Sequence, residues 1–348
     1  MSKRVAVARW WWSTMLVVAL ATIVGARAAD GQRVDTPPAV SLDAAARAAG
    51  DLPRLHSLLV SWHGDLILER YFNGARASQP ANVKSASKSV ISALVGIAIG
   101  RGLIAGVRQP IASFFPDLEA SKRQITIEDL LTMRSGLAPT SNVNYGAWVQ
   151  SPNWVRYVLN RQLINAPGTH MDYSTGNTHV LSAILTKVSR TSTWQFAQDV
   201  LGGPMGFTLA RWPQDPQGIY FGGNDMLLTP RQLLSFGELY LNRGRANGRQ
   251  IVPAEWVDAS FVARTESRWS DQLYGYGWWV RELAGYSACF AWGYGGQYAF
   301  VVPDLDLVIV TTSSPAVSDL PRQHRHTIID FVERFIVEPI AGGVQASR

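Results

Sequence analysis

Apolar residues follow two different patterns in the first hundred positions. Two short runs rich in β-branched and aromatic residues, at 58–62 and 66–72, flank a turn that contains Gly64. Such runs around a short glycine-containing turn are typical of a β-hairpin. Between 85 and 100, by contrast, apolar residues cover almost the whole circumference of a helix. A helix that is apolar on all sides is a buried one, so the pattern predicts an early hairpin followed by a central helix.

The pattern predicts helices in the middle of the chain and strands near its end. Residues 126–129 and 229–232 have the spacing of a capping box at a helix start. Apolar, β-branched runs at 297–302 and 307–312 predict a second hairpin. Strands from both ends of the chain would then form one sheet, with a helical region at about 105–225 inserted between them. The predicted fold class is α/β, in the α+β sense.

The N-terminus has the three parts of an export signal. Lys3 and Arg4 provide a positive start, residues 10–24 an apolar run, and residues 26–28 an A-x-A cleavage site. The run is shorter than the roughly 20 residues of a membrane span. Residues 1–28 are therefore predicted to be a signal peptide, and the protein to be periplasmic or secreted. The alternative is an uncleaved membrane anchor, because the three tryptophans that open the run are typical of a membrane interface.

The remainder is predicted to be a linker at 29–50, which leads into a first helix, followed by one domain at 51–348. The linker is rich in Ala, Pro and Asp and has weak periodicity. With 47% apolar and 17% charged residues, the chain has the composition of a well-packed globular protein. Cys289 is the only cysteine, so an exported chain has no internal disulfide and its stability must come from the core.

The positive charge does not indicate a nucleic-acid partner. The formal net charge is +6, from 32 Lys+Arg and 26 Asp+Glu. Residues 1–28 hold four of those basic residues and no acidic one, which leaves 28 − 26 = +2 for the rest. A nucleic-acid-binding protein needs a concentrated basic face, and these charges are scattered. The only membrane contact expected is through the N-terminal segment, if it is not cleaved.

Candidate chemistry begins with Ser85 and Lys88, which form a Ser-x-x-Lys pattern. Residues three apart share a face of a helix, and this helix is apolar. Desolvation in such surroundings lowers the pKa of a lysine amine, which can then take a proton from a neighbouring hydroxyl. The alternative is a helix that begins after Lys88, with Ser85 as its cap and the lysine in solvent. The residues of this segment leave both interpretations open.

Other catalytic schemes find less support in the sequence. There is no G-x-S-x-G elbow, the usual signature of an α/β-hydrolase triad. The histidines form no H-x-x-x-H pair and no Cys/His cluster, so neither a metal site nor a cofactor is predicted. The six histidines lie at positions 56, 63, 170, 179, 324 and 326.

Four motifs follow one another along the chain. They are SASKS at 85–89, ITIEDLLTMRSGL at 125–137, YSTGNT at 173–178 and GYGGQ at 293–297. In this order they resemble the class C β-lactamase-related serine hydrolases, a group that includes esterases, D-amino-acid peptidases and 6-aminohexanoate-dimer hydrolases. The last of these are the most similar in pattern. The resemblance runs from about residue 50 to 340, and four ordered motifs are far more specific than one.

The resemblance implies a fold and a mechanism. The fold is three-layered, of the β-lactamase/transpeptidase type, with helices on both sides of an antiparallel sheet and an all-helical insertion. Ser85 would attack a carbonyl to form an acyl-enzyme, with Lys88 as its base partner and Tyr173 as a proton relay. The oxyanion hole would consist of the Ser85 and Tyr294 amides, since the glycines around Tyr294 allow the backbone to approach a ligand.

The predicted substrate contacts lie on several separate segments. Aromatic side chains can line an apolar cleft for an acyl chain, although each of them taken singly is more often part of a core. The predicted substrate-binding residues are Tyr145, Trp292, Gly295, Gly296 and Asn177, and the further aromatic candidates are Trp148, Trp154, Trp278 and Trp279.

Two departures from the β-lactamase pattern bear on the substrate. Thr175 stands where β-lactamases have asparagine, and the sequence has no Lys-Thr-Gly tripeptide. The lysine of that tripeptide would ordinarily hold a substrate carboxylate. Penicillins are therefore disfavoured, and neutral or extended acyl substrates are favoured.

The predicted function is that of an exported serine hydrolase that cleaves ester or amide bonds in a small molecule through acyl-Ser85. One alternative is a D,D-peptidase or β-lactamase that acts on cell-wall peptides or β-lactams. The other is a catalytically silent envelope protein that uses the cleft for binding. The presence of Ser85, Lys88 and Tyr173 together argues against a silent protein.

Overall fold

The computed structural model describes residues 41–270, 272–315 and 321–346. The strands in chain order are β1 (Leu55–Trp62), β2 (Asp65–Tyr71), β3 (Ala81–Asn82), β4 (Leu227–Leu228), β5 (Arg245–Ala246), β6 (Arg249–Gln250), β7 (Thr265–Glu266), β8 (Leu273–Tyr274), β9 (Trp279–Leu283), β10 (Tyr286–Gly293), β11 (Gln297–Val302) and β12 (Leu307–Ser313). Eight of these form one antiparallel sheet in the order β2-β1-β12-β11-β10-β9-β8-β7. The pairs β3–β4 and β5–β6 form two short separate sheets.

Helices cover both faces of the eight-stranded sheet. They are α1 (Asp43–Gly50), α2 (Ser87–Gly100), α3 (Ile127–Leu131), α4 (Tyr145–Val149), α5 (Trp154–Leu159), α6 (Thr175–Ser189), α7 (Thr193–Ala197), α8 (Pro230–Leu241), α9 (Ala254–Phe261), α10 (Pro321–Val332) and α11 (Glu338–Ala346). Apolar residues of α1, α10 and α11 share one core with the sheet, and those of α2, α6, α8 and α9 share another. The architecture is therefore three-layered.

Strand β11 shows why the sheet is buried on both faces. Tyr298, Phe300 and Val302 belong to the core shared with α10 and α11, whereas Ala299 and Val301 belong to the core shared with α2 and α8. Successive strand residues point to opposite faces, so an uninterrupted apolar run fits a strand that has helices on each side. The larger side chains face the layer formed by the terminal helices.

The sheet is closed by strands from both ends of the chain. β1 pairs with β12, with Leu59 opposite Val310, and the predicted hairpins are β1–β2 and β11–β12. Between β3 and β4 the chain is fully described and contains helices α2 to α7 but no strand of the main sheet. The predicted fold class, an antiparallel sheet between helical layers with a helical insertion, is confirmed.

The prediction of a linker over residues 29–50 is wrong for residues 43–50. Residues 43–50 form α1, in which Ala45 and Ala49 are fully buried against the sheet. Small apolar residues one turn apart allow a helix to lie close to a neighbouring layer, and composition alone does not reveal this. The predicted signal at 1–28 and residues 29–40 lie outside the described residues. Within the described ranges, no helix combines the length and the apolar character needed to cross a membrane.

Candidate active site

The turn that leads into α2 carries the candidate nucleophile. Ser85 lies in the 3₁₀ turn Lys84–Ala86, which continues directly into α2, and Lys88 lies in the first turn of that helix. Lys88 Nζ donates to Ser85 Oγ across 3.0 Å. Lys88 is only 1% exposed, which excludes the alternative of a solvated lysine before the helix.

Three acceptors surround the Lys88 amine. Besides Ser85 Oγ, Nζ donates to the carbonyl oxygen of Gly223 at 2.6 Å and to Thr175 Oγ1 at 3.3 Å. A lysine ammonium has three N–H donors, so each of them has an acceptor here. Thr175 Oγ1 is in turn 3.1 Å from Ser141 Oγ. These contacts hold the amine at a fixed distance from the Ser85 hydroxyl.

Burial changes the acidity of Lys88. Desolvation lowers its pKa from 10.5 to about 7, and the negative charge of Asp225 acts in the opposite direction. A group with this pKa has a substantial neutral fraction at neutral pH. A neutral amine 3.0 Å from a hydroxyl oxygen can accept the hydroxyl proton.

Tyr173 brings its phenol to the same point from the start of α6. Its ring centroid lies 5.0 Å from Lys88 Nζ, and the ring stacks on Trp279 at 5.8 Å between centroids. Burial raises the pKa of Tyr173 to about 12, and a side-chain hydrogen bond with Ser85 partly opposes this. The phenol is therefore protonated at neutral pH. The structure brings Ser85, Lys88 and Tyr173 together, as the motif order implied.

Gly223 is a site residue that the sequence analysis did not identify. Its carbonyl oxygen accepts the shortest of the three hydrogen bonds from Lys88. A Cβ atom at this position would lie 2.1 Å from Thr178 Oγ1, so only glycine fits between α6 and the lysine. The Gly222-Gly223 pair ahead of α8 is the sequence signal that could have indicated a close approach of the backbone at this point.

The segment proposed for the oxyanion hole lies beside the nucleophile turn. Gly293 ends β10 so close to this turn that a Cβ on it would lie 2.1 Å from the Val83 carbonyl oxygen. Tyr294, Gly295 and Gly296 then connect β10 to β11, and both glycines have positive φ, 85° and 97°. The Tyr294 side chain is exposed. The backbone at Tyr294 therefore lies next to the Ser85 turn, and its role as an amide donor stays a prediction.

Comparison with known families identifies the family of this chain. A family model described as Beta-lactamase matches residues 56–332, which is most of the chain. The chain belongs to the β-lactamase family of serine hydrolases. All of the residues that surround Lys88 lie inside the matched range.

Relatives and solved structures agree with this assignment. The 6-aminohexanoate-dimer hydrolase of Paenarthrobacter ureafaciens is 25% identical, in a match that covers 80% of this chain and 78% of the relative. A presumed 6-aminohexanoate-dimer hydrolase from Bacillus anthracis has a TM-score of 0.72 at 21% identity, over 84% of this chain and 81% of its own. A family VIII carboxylesterase has a TM-score of 0.66 at 15% identity, over 84% and 95%. The β-lactamase/transpeptidase-like fold is thus shared.

Two of the predicted substrate contacts in this β-lactamase-family hydrolase lie near the candidate catalytic residues. Tyr145 in α4 accepts a hydrogen bond at its hydroxyl from Asn224 Nδ2, 2.9 Å away, next to Gly223. Trp292 is partly exposed and packs on Trp279, with ring centroids 5.3 Å apart. Trp279 also stacks on Tyr173, but it is itself buried in the core, so its predicted contact with a substrate is wrong. It connects the rings of Tyr173 and Trp292.

Other predicted contacts lie away from any surface that a substrate can reach. Asn177 is fully buried in α6, where its Oδ1 accepts from Ser135 Oγ at 3.1 Å, so its predicted substrate contact is wrong. The α6 periodicity turns Asn177 into the protein, two positions beyond Thr175. Trp148, Trp154 and Trp278 are likewise core residues, the first two around His179 and the third between Phe236 and Tyr240.

Proposed function

We propose that this protein hydrolyses ester or amide bonds through an acyl-enzyme formed on Ser85. The observation that carries the proposal is the buried Lys88 amine, 3.0 Å from Ser85 Oγ and with its pKa lowered to about 7. A serine hydroxyl is a weak nucleophile until a base removes its proton, and this amine is the group placed to do so.

Acylation begins with attack by Ser85 on the substrate carbonyl. Ser85 Oγ bonds to the substrate carbonyl carbon while its proton passes to Lys88 Nζ, and negative charge moves onto the carbonyl oxygen. The amides of Ser85 and Tyr294 are the proposed donors to that oxygen. When the intermediate collapses, the ester or amide bond breaks, and Tyr173 relays a proton from the Lys88 ammonium to the leaving group. Water then attacks the acyl carbonyl with Lys88 as base, which releases a carboxylic acid and Ser85.

The surroundings of Ser85 favour neutral acyl substrates. The partly exposed rings of Tyr173 and Trp292, joined through the buried Trp279, provide aromatic surface that can bind apolar chains. Thr175 replaces the asparagine of β-lactamases, and no Lys-Thr-Gly lysine is present to bind a carboxylate. The names of the similar proteins, an aminohexanoate-dimer hydrolase and a carboxylesterase, agree with amide or ester substrates.

Export is a further part of this proposal. It is supported by the basic start, apolar run and A-x-A site within residues 1–28. We expect the protein recovered from the periplasm or medium to begin at Ala29, as determined by intact mass and N-terminal peptide sequencing. A membrane-bound protein that retains residues 10–24 would instead indicate the uncleaved anchor.

Active-site labelling tests the catalytic proposal. A fluorophosphonate should modify one residue, and peptide mass spectrometry should map the adduct to Ser85. The labelling rate should rise with pH through about 7, because the Lys88 amine is protonated below its pKa and then cannot accept the Ser85 proton.

Three results would contradict the proposal. A labelling rate that is flat from pH 5 to 9 would remove Lys88 as the base. No adduct on folded protein would favour the silent binding protein. A slowly hydrolysed penicillin adduct on Ser85, without turnover of simple esters or amides, would favour a D,D-peptidase.

A further inference from the structure

A second lysine lies beside the candidate nucleophile. Lys84, immediately before Ser85, donates from Nζ to Asp225 Oδ1 at 2.9 Å. Asn82 Nδ2 donates to the same oxygen at 2.7 Å. The side chains of the charged pair are 25% and 23% exposed. Lys84 and Asp225 thus form a partly desolvated ion pair at the edge of the site, where their charges are screened less than on an open surface.

This ion pair joins the two segments that bind the Lys88 amine. Ser85 is one residue beyond Lys84, Gly223 is two residues before Asp225, and both accept hydrogen bonds from Lys88. A change in either member of the pair therefore acts close to the amine, both through charge and through the position of its acceptors.

The backbone at both positions is in a conformation that most side chains avoid. Lys84 has φ 51° and Asp225 has φ 63°, in the left-handed region that glycine, asparagine and aspartate adopt more easily than lysine does. Pairing of Asn82 with Leu227 in the β3–β4 sheet holds the two corners together. A lysine and an aspartate at two such corners, bonded to each other, point to a role beyond chain reversal.

We propose that Lys84 and Asp225 are positioning residues whose opposite charges set the pH range in which Lys88 can accept the Ser85 proton. The Asp225 carboxylate favours the Lys88 ammonium, and Lys84 limits this effect by neutralising the carboxylate. The inference rests on the proposed function, in which neutral Lys88 accepts the Ser85 proton.

Other titratable groups near the amine or the pair are neutral. From α6 comes Tyr173, whose pKa burial raises to about 12. From α4 comes Tyr145, whose pKa is raised by burial and, more weakly, by the Asp225 charge. Asp225 is therefore the charge that acts directly on Lys88, where it raises the pKa against desolvation.

Three further elements with titratable groups pack against α2: β10, α9 and the π-helical turn Gln198–Gly202. In the last of these, Asp199 is exposed and accepts from Gln195 Nε2. β10 carries Cys289, a thiol that stays neutral because burial raises its pKa to about 12. α9 carries Glu255, which is exposed, and Asp258, whose exposed carboxylate is paired with Arg243. Asp258 therefore offers a matched carboxylate for a control.

The test is the acid limb of the pH–rate profile in three variants. Asp225→Asn removes the negative charge, so the pKa of Lys88 falls and the limb should move to lower pH by about half to one unit. Lys84→Met leaves the carboxylate without its partner, so the limb should move to higher pH by a similar amount. The double variant should return close to the wild-type limb. Fluorophosphonate labelling rates between pH 5 and 9 measure all three.

The outcomes separate this inference from the proposed function. A wild-type profile without an acid limb would overturn the proposed function itself. The inference alone would be overturned if the wild-type protein has an acid limb but both single variants shift it in the same direction. It would also be overturned if they only lower the rate and leave the limb at the same pH, because a pair with a purely structural role would behave in this way. Asp258→Asn is the control and should leave the limb unchanged; an equal shift there would mean that net charge, and not the pair, is responsible.

Discussion

The Ser85→Ala protein is expected to hydrolyse esters at least about a thousand-fold more slowly than the wild type. Alanine removes the oxygen that would bond to the carbonyl carbon, while Lys88 keeps its contacts with Thr175 and Gly223. The fold should therefore be unaffected and the chemistry lost. Initial rates with short-chain p-nitrophenyl esters measure the effect, and intact mass after substrate mixing should show an acyl adduct only on wild-type protein.

Ser121→Ala is the matched control for this experiment. Ser121 is exposed and its hydroxyl donates to Glu119, in a turn that contributes no contact to Lys88. It should retain the wild-type rate. Wild-type turnover by the Ser85→Ala protein would mean that another residue is the nucleophile, and the proposed mechanism would have to be abandoned.

Lys88→Met should lower the rate of hydrolysis by about 10² to 10⁴-fold, the range expected for loss of a general base. Its effect on folding should be small, within about 2 kcal/mol, because an apolar chain replaces a buried amine while three acceptors lose their donor. Rates measure the first expectation, and the urea unfolding midpoint measures the second. Loss of rate with little loss of stability separates a catalytic lysine from a structural one.

The chain offers a second buried lysine as a control. Lys122 is 5% exposed and binds Glu119 at 2.9 Å, so Lys122→Met also removes a buried charge. Its rate of hydrolysis should equal that of the wild type. If Lys88→Met is as active as Lys122→Met, Lys88 is not the base, and the proximity of its amine to Ser85 has only a structural meaning.

Features that depend on near neighbours in the chain could be predicted from the sequence. The capping box between Thr126 and Asp129 forms as predicted, with its two reciprocal hydrogen bonds. The hairpin β1–β2 and the buried helix α2 also follow from local apolar patterns. The spacing of Ser85 and Lys88 indicated a shared face of one helical turn. In the structure Ser85 lies in the 3₁₀ turn that precedes α2, and Lys88 lies in the first turn of that helix.

Features that depend on distant segments could not be predicted in the same way. The short helix α1 was hidden in a stretch of low periodicity, since only contact with the sheet makes Ala45 and Ala49 a buried face. Asn177 sits within a motif that resembles an active-site sequence, but the direction of α6 turns its side chain into the protein. Which face of a helix meets the cleft depends on the packing of the other elements.

The sequence by itself determined the nucleophile candidate, its lysine neighbour and the layered fold, because these follow from the helical repeat, apolar periodicity and motif order. The tertiary structure decided the environment of the amine. The Gly223 carbonyl comes from 135 residues away and Thr175 from 87, and burial between them lowers the pKa of Lys88. Desolvation and charge act through space, so the reactivity of Lys88 is a property of the folded chain.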